Sequence, residues 1–368
     1  MAATSEAHKK QSSVKSLLAE SPGLASIPHA YVCSTTTTAH NDDDDHHQDD
    51  DDEKDSSLIP TIDFSLLTSG TPHQRSRVIQ DLRQTCQDWG FFTVVNHGVP
   101  EEVMKGMMRV CEEFFDLREE EKMEYYCDGK HVMDPIRCGT SFNPSVDKVL
   151  CWRDYLKVFV HPKFHSPTQP HDFSEVSLDY CRRTRVVAME LLRGISESLG
   201  LEECYMEKAL NLASDGFQIL AANLYPPCPQ PELAMGIHPH SDHGLLTLLI
   251  QNGIGGLQVQ HNGKWVPVNA NPTSFLVNTG DHMEILSNGK YKSVLHRAIV
   301  NSKATRISVA LAHGPSLDAI VSPAQQLTDG ESNPPAYIPM KYKDYLELQQ
   351  SNQLNHKSCL DRVRVPIL

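Results

Sequence analysis

The sequence predicts an α+β fold: a helix-rich N-terminal part, a strand-rich core of the sandwich, barrel or jelly-roll kind, and a helix near the C-terminus. Three observations predict it. Long helix-period segments fall at 74–90, 100–116 and 175–199, all in the first 205 of 368 residues. From 217 onward the texture changes to eight short β-type runs punctuated by Gly, Asn and Pro. The stretch after residue 58 is also long enough to bury one sizeable core.

The elements follow in order. Residues 14–32 start with helical spacing and break at Pro22-Gly23 and Pro28, as a short helix followed by an extended arm would, so 1–32 reads as an N-terminal helix and arm. The Ser/Thr run and Asp run within 33–57 cannot bury apolar surface, and this insertion is expected to be disordered. Order resumes at Ile59–Phe64, whose alternation suggests a strand, and a second apolar strand, Phe91–Val95, separates the first two long helices. The helix at 175–199 stops at Gly200. Strand-like runs then lie at 217–225, 244–250, 257–260, 264–268, 274–278, 283–287, 292–300 and 306–312, and Tyr342 to Leu348 looks helical. Regions of 58–205, mainly helical, 206–320, mainly strands, and 321–368, a helical C-terminal segment, are expected.

Composition narrows the function. The net charge is -14, but Asp42 to Asp55 holds ten carboxylates and one lysine and carries -9 of it, leaving a mildly acidic globular surface. A basic footprint for nucleic acid is absent. The ten cysteines include no CxxC pair and suit a reducing compartment. No run approaches ~18 apolar residues and no signal-peptide pattern opens the chain, so a cytoplasmic protein without a membrane span is expected.

His240-Ser241-Asp242 precedes the apolar run Gly244–Ile250. In an extended segment the residues at i and i+2 face one way, so an imidazole and a carboxylate would meet. A third ligand from a distant strand would complete a 2-His-1-carboxylate triad, which leaves one face of Fe(II) open. His296, 54 residues after Asp242 and inside a β-type run, is the candidate, with His238 and His243 as flanking competitors. Arg306 and Ser308 form another i, i+2 pair, a guanidinium fork and a hydroxyl suited to a carboxylate, or else a surface arginine at the start of a strand. Asn223 and Tyr225 share a strand face before Pro226-Pro227, where they could orient a ligand or simply cap a turn and fill the core.

From about 58 to 350 the chain resembles the plant 2-oxoglutarate and Fe(II)-dependent dioxygenases of specialised metabolism, similar to flavanone 3-hydroxylase and anthocyanidin synthase. The resemblance is carried by IPTIDF (59–64), WGFFTVVNHGVP (89–100), NLYPPCPQP (223–231), PHSDHGLLTLLIQ (239–251), GGLQVQHNGKWVPV (255–268), NTGD (278–281) and HRAIVNSKATRIS (296–308). It implies a double-stranded β-helix (jelly-roll) core with a helical N-terminal region and a C-terminal helix. It also implies His240, Asp242 and His296 as iron ligands, Arg306, Ser308 and Tyr225 around the distal carboxylate of 2-oxoglutarate, and Asn223 near its metal-bound end. The substrate pocket would draw on the arm around Ile27–Tyr31, on Phe142, on Tyr155 in the Trp152–Tyr155 segment, on His313-Gly314 and on the helix near Tyr342. His313 and Gly314 depart from the Phe and polar residue of many flavonoid enzymes.

The implied activity is oxidation of a small phenolic, alkaloid or terpenoid by Fe(II), 2-oxoglutarate and O2, with ascorbate in support. Succinate and CO2 are released, and hydroxylation, desaturation or demethylation depends on how the substrate is placed. A monomer without a nucleic-acid or membrane partner is expected. The alternatives are an ascorbate-dependent oxidase of the same fold, a His/Asp zinc hydrolase, which would not need Arg306 and Ser308, and an inactive binding or sensor module recruiting a basic partner through the acidic tract.

Overall fold

The structure, a computed structural model, describes residues 13–33, 59–127, 131–269, 271–330, 332–351 and 358–366. The acidic tract 42–55 and nearly all of the insertion expected to be disordered lie outside the described residues. Cys33, at the start of that insertion, is buried, and its amide donates to the carbonyl of Leu233 at 2.8 Å.

Twelve strands build two facing sheets. In chain order they are β1 (Thr61–Asp63), β2 (Phe91–Val95), β3 (Ile136–Thr140), β4 (Asp154–His161), β5 (Gly216–Tyr225) and β6 (Met235–His240). They continue with β7 (Leu246–Gln251), β8 (Leu257–His261), β9 (Lys264–Pro267), β10 (Phe275–Thr279), β11 (His296–Ile299) and β12 (Arg306–Ser316). The large sheet runs β1-β2-β10-β7-β12-β5-β4-β3 and the small one β6-β11-β8-β9. This is the mixed α+β, jelly-roll architecture expected from the sequence, with helices towards both termini.

Period-2 alternation explains how the large sheet separates core from cavity. On β5, Leu220, Ala222 and Leu224 face one way, and on β12 so do Ile307, Val309 and Leu311; all join the main hydrophobic core. That core is completed by the helices Pro72–Asp88, Glu101–Asp116 and Phe173–Ser198, through residues such as Leu82, Met107, Phe114, Tyr180 and Leu191, all fully buried. Each side chain of this size contributes about 1.5–3 kcal/mol on burial. The opposite face of the same strands (Ala221, Asn223 and Tyr225; Arg306, Ser308 and Ala310) turns to a cavity between the sheets.

Local signals set the helix limits. Thr71 and Gln74 form a capping box ahead of Pro72 at the first helical position. Gly200 takes φ 80° and stops the long helix after Ser198.

The run 283–287, expected to be a strand, is instead the helix Asp281–Leu286. All six of its residues are buried, so no polar face betrays a helical period. Its first amides are committed to the neighbouring loop: Asp281 and His282 donate to the carbonyls of Asp242 and Gly244 at 2.7 and 3.1 Å. Strand β6 carries no strand-like pattern because it contains Gly236 and Pro239; both are tolerated there because β6 is an edge of the small sheet.

The N-terminal helix Val14–Glu20 and its arm pack on the outside of the site. The amides of Val14 and Lys15 donate to the Asp154 carboxylate at 2.8 and 2.9 Å. Ile27 and Tyr31 join Trp152, Tyr225 and Ile237 in a second cluster, with the Tyr31 and Trp152 rings edge to face at 5.1 Å. None of the ten cysteines is in a disulfide, and nine are buried. Among the described residues no helix is long and apolar enough to cross a membrane.

Candidate active site

His240 ends β6 and His296 begins β11, and the two stand opposite each other in the antiparallel register with ring centroids 4.2 Å apart. Asp242 follows in the loop, its Oδ1 3.9 Å from His240 Nε2 and 3.7 Å from His296 Nε2. One ligand atom from each of the three lies within 4.8 Å of the others.

The surroundings prepare these atoms to bind a cation. His240 Nδ1 lies 2.8 Å from the carbonyl of His238, and His296 Nδ1 lies 3.2 Å from that of Val294. A carbonyl only accepts, so Nδ1 is the donor in both rings and Nε2 is the atom that each ring turns to the shared space. Asn278 Nδ2 donates to Asp242 Oδ2 at 2.9 Å and leaves Oδ1 available. Burial, with His296 beside it, pushes the His240 pKa down to about 3 and keeps that ring neutral. Burial alone would raise the Asp242 carboxyl, but the His296 and His240 imidazoles outweigh it and hold the group below the usual carboxylate range. One carboxylate oxygen and two imidazole nitrogens on one side, with a cavity on the other, fit a divalent iron with open positions.

At the far end of β12, Arg306 is almost completely buried. Its Nη2 donates to Gln251 Oε1 at 2.9 Å, while Nε and Nη1 have no partner. Orphaned guanidinium donors are costly unless something anionic meets them. Ser308 is next on the same strand face, and Tyr225 stands opposite Arg306 with its ring centroid 4.9 Å from the guanidinium carbon. Asn223 pairs with Ser308 across the strands, and its Oδ1 accepts from Arg153 Nη1 at 3.0 Å. The alternative of a surface arginine does not describe this residue.

The triad, Arg306, Ser308, Tyr225, Asn223 and Phe142 all border one cavity of about 130 Å³. Tyr155 and His313 are not on its wall. The Tyr155 ring lies between Arg153 and Lys157, 5.3 Å and 5.4 Å from their charged groups. His313 falls out of phase with Arg306, Ser308, Ala310 and Ala312 on β12 and turns to the opposite face, where burial lowers its pKa to about 3. The arm residues Ile27 and Tyr31 also stay outside, backing Tyr225 and Ile237.

Sequence reasoning did not single out Asn278, Lys157 or the pair Gln349 and Gln350, which all border the cavity. Lys157 had a signal, a lone charge within the otherwise apolar run Leu156–Val160. The two glutamines lie on the C-terminal helix Tyr342–Ser351, which roofs the cavity. Tyr342 hydrogen-bonds His243 Nδ1 at 2.8 Å, Tyr345 donates to Asp281 at 2.7 Å, and Gln349 donates to the Ser241 carbonyl at 3.3 Å.

The roof also explains Gly314. A Cβ there would run into the Tyr342 phenol, so only glycine lets the helix approach this closely. Gly314→Ala is expected to destabilise the protein by about 1–3 kcal/mol through overpacking, read as a lowered midpoint in a thermal melt. An unchanged midpoint would mean the helix is not seated as described.

Two sheets enclosing a His-Asp-His triad, with a buried arginine at the other end of the cavity, define a non-haem iron oxygenase. Comparison with known proteins gives the same answer. Residues 216–315 match the model of the 2OG-Fe(II) oxygenase superfamily, and residues 59–177 match that of the non-haem dioxygenase in morphine synthesis N-terminal family. The chain belongs to the 2OG-Fe(II) oxygenase superfamily and is a 2-oxoglutarate- and Fe(II)-dependent dioxygenase.

It is 49% identical over 309 residues to 2-oxoglutarate-dependent dioxygenase 19 of Oryza sativa subsp. japonica, a match covering 83% of this chain and 90% of that one. It is 38% identical over 314 residues to flavanone 3-dioxygenase 2 of the same species, covering 83% and 87%. Among solved structures, JOX2 in complex with 2OG, Fe and JA superposes with a TM-score of 0.84 at 31% identity, covering 97% of this chain and 99% of that one.

Proposed function

We propose that the protein oxidises a C–H bond of a small specialised metabolite at a centre held by His240, Asp242 and His296, as a monomer in the cytoplasm. The observation that carries this reading is the pair of orphaned Arg306 donors, buried in the same cavity as the triad and suited to a diacid cosubstrate. Bound Fe(II) supplies the oxygen-activating chemistry, in which 2-oxoglutarate is converted to succinate and CO2 as the substrate is oxidised.

The chain does the rest by position. The carbonyls of His238 and Val294 fix the two imidazoles, and Asn278 fixes the Asp242 carboxylate. Arg306 and Ser308, with the Tyr225 phenol beside them, would hold the distal carboxylate of 2-oxoglutarate, and Asn223, oriented by Arg153, would serve its other end. Apolar walls such as Phe91, Ile237 and Leu257 keep water from the reacting atoms. Hydroxylation is the default outcome; desaturation or demethylation requires only a different seat for the substrate.

The test is succinate release from 2-oxoglutarate with Fe(II) under air over a panel of phenolics, alkaloids and terpenoids. Mass spectrometry would distinguish an added oxygen from lost hydrogens or a lost methylene. Substrate-stimulated release that stops on chelation or exclusion of air is expected; release that survives both would overturn the reading.

A further inference from the structure

The cavity has a second cationic wall that the cosubstrate does not explain. Lys157 on β4 pairs with Arg137 on β3 and with Ala221 on β5, and Ala221 in turn pairs with Ala310 on β12. The small side chains of Ala221 and Ala310 leave open floor in front of Lys157. Lys157 stands two strands from Arg306 in the large sheet, about 10 Å to the side at ordinary strand spacing. The groups assigned to the distal carboxylate of 2-oxoglutarate, Arg306, Ser308 and Tyr225, lie on β12 and β5, and Lys157 on β4 is not among them.

Among the described residues the charges at this wall have no counter-ion paired with them. Lys157 Nζ has one hydrogen-bond partner, the neutral Gln350 Oε1 at 2.7 Å, and sits 4.6 Å from the Phe142 ring centroid. Arg153 is buried with Nε unpartnered, and Arg137 is buried with Nε and Nη2 unpartnered. Among the described residues none of the three forms an ion pair. Asp147, the carboxylate whose field reaches Lys157, is already taken up by the Ser141 hydroxyl and the amides of Phe142 and Asn143. Burial, with Arg137 and Arg153 adding repulsion, drives the Lys157 pKa well down. An anion placed here would reverse that cost.

We infer that the substrate of this enzyme carries a carboxylate, seated on the Lys157 ammonium in the positive field of Arg153 and Arg137, with its apolar body over Ala221 and Ala310. The inference rests on the Fe(II)/2-oxoglutarate reading above and deepens it. The occupant shares this cavity with the cosubstrate, and the apolar side chains Phe142, Ile219, Ala221 and Ala310 on its wall favour a compact acid with a hydrocarbon body.

The experiment is calorimetric titration of the Fe(II)- and 2-oxoglutarate-loaded protein, without oxygen, using benzoic, cinnamic and naphthaleneacetic acids and the methyl ester of each. At least one acid should bind about tenfold or more tightly than its ester, the discrimination expected of a charge-assisted hydrogen bond. Lys157→Met should erase that preference and Lys157→Arg should keep it, with thermal melts verifying that both variants are folded. Esters binding as well as acids in every pair, no binding by any acid, or a preference that survives Lys157→Met in folded protein would each overturn the inference. A separate titration with 2-oxoglutarate distinguishes the two levels. Intact cosubstrate binding with a failed acid preference removes only the carboxylate seat, and failure to bind 2-oxoglutarate removes the underlying reading.

Discussion

Asp242→Ala is expected to lower substrate-stimulated succinate release by well over ~100-fold. Loss of a group that merely orients a metal ligand already costs about 10–100-fold, and this substitution removes the proposed anionic ligand itself. It also leaves Asn278 Nδ2 without its acceptor and two imidazoles facing an uncharged gap. The measurement is iron content per protein together with turnover, compared with wild type. Full iron loading and undiminished turnover in the variant would remove Asp242 from the site. The secondary structure should persist, because Asp242 lies in the loop after β6 rather than in the main core.

Arg306→Ala is expected to raise the apparent KM for 2-oxoglutarate by about 30-fold or more, corresponding to the ~2–5 kcal/mol lost when one member of a buried charge pair is truncated. Turnover at saturating cosubstrate should fall less, because the residue grips the end of the diacid remote from the reacting atoms. Arg306→Lys should recover only part of the affinity, since an ammonium cannot reproduce the two directed donors, Nε and Nη1. An unchanged KM would sink the assignment.

Much of this was legible in the sequence where one face of an element met water and the other met the core. The strand Phe91–Val95 and the helices Pro72–Asp88 and Phe173–Ser198 all announce themselves by period and by Gly or Pro at their ends. Legibility failed where burial was complete or the strand lay at an edge. The helix Asp281–Leu286 has no wet face, and β6 is written around Pro239. At the site, the triad and Arg306 could be read because they sit in short spaced motifs. His313 illustrates the limit: its place in the chain suggested the pocket, but the phase of β12, set by Arg306 and Ser308, turns it away. Lys157 and Gln350 meet only because the C-terminal helix folds back over the cavity, a contact across 193 positions that no local pattern encodes.

The direct opposition of His240 and His296 across β6 and β11 has a consequence for biogenesis. A one-residue slip of either strand would swing its imidazole to the far side of the small sheet and leave only part of the metal-binding set. Iron binding would therefore favour the correct pairing over a slipped one, because only the native register presents both imidazoles and gains the stabilisation of the bound ion.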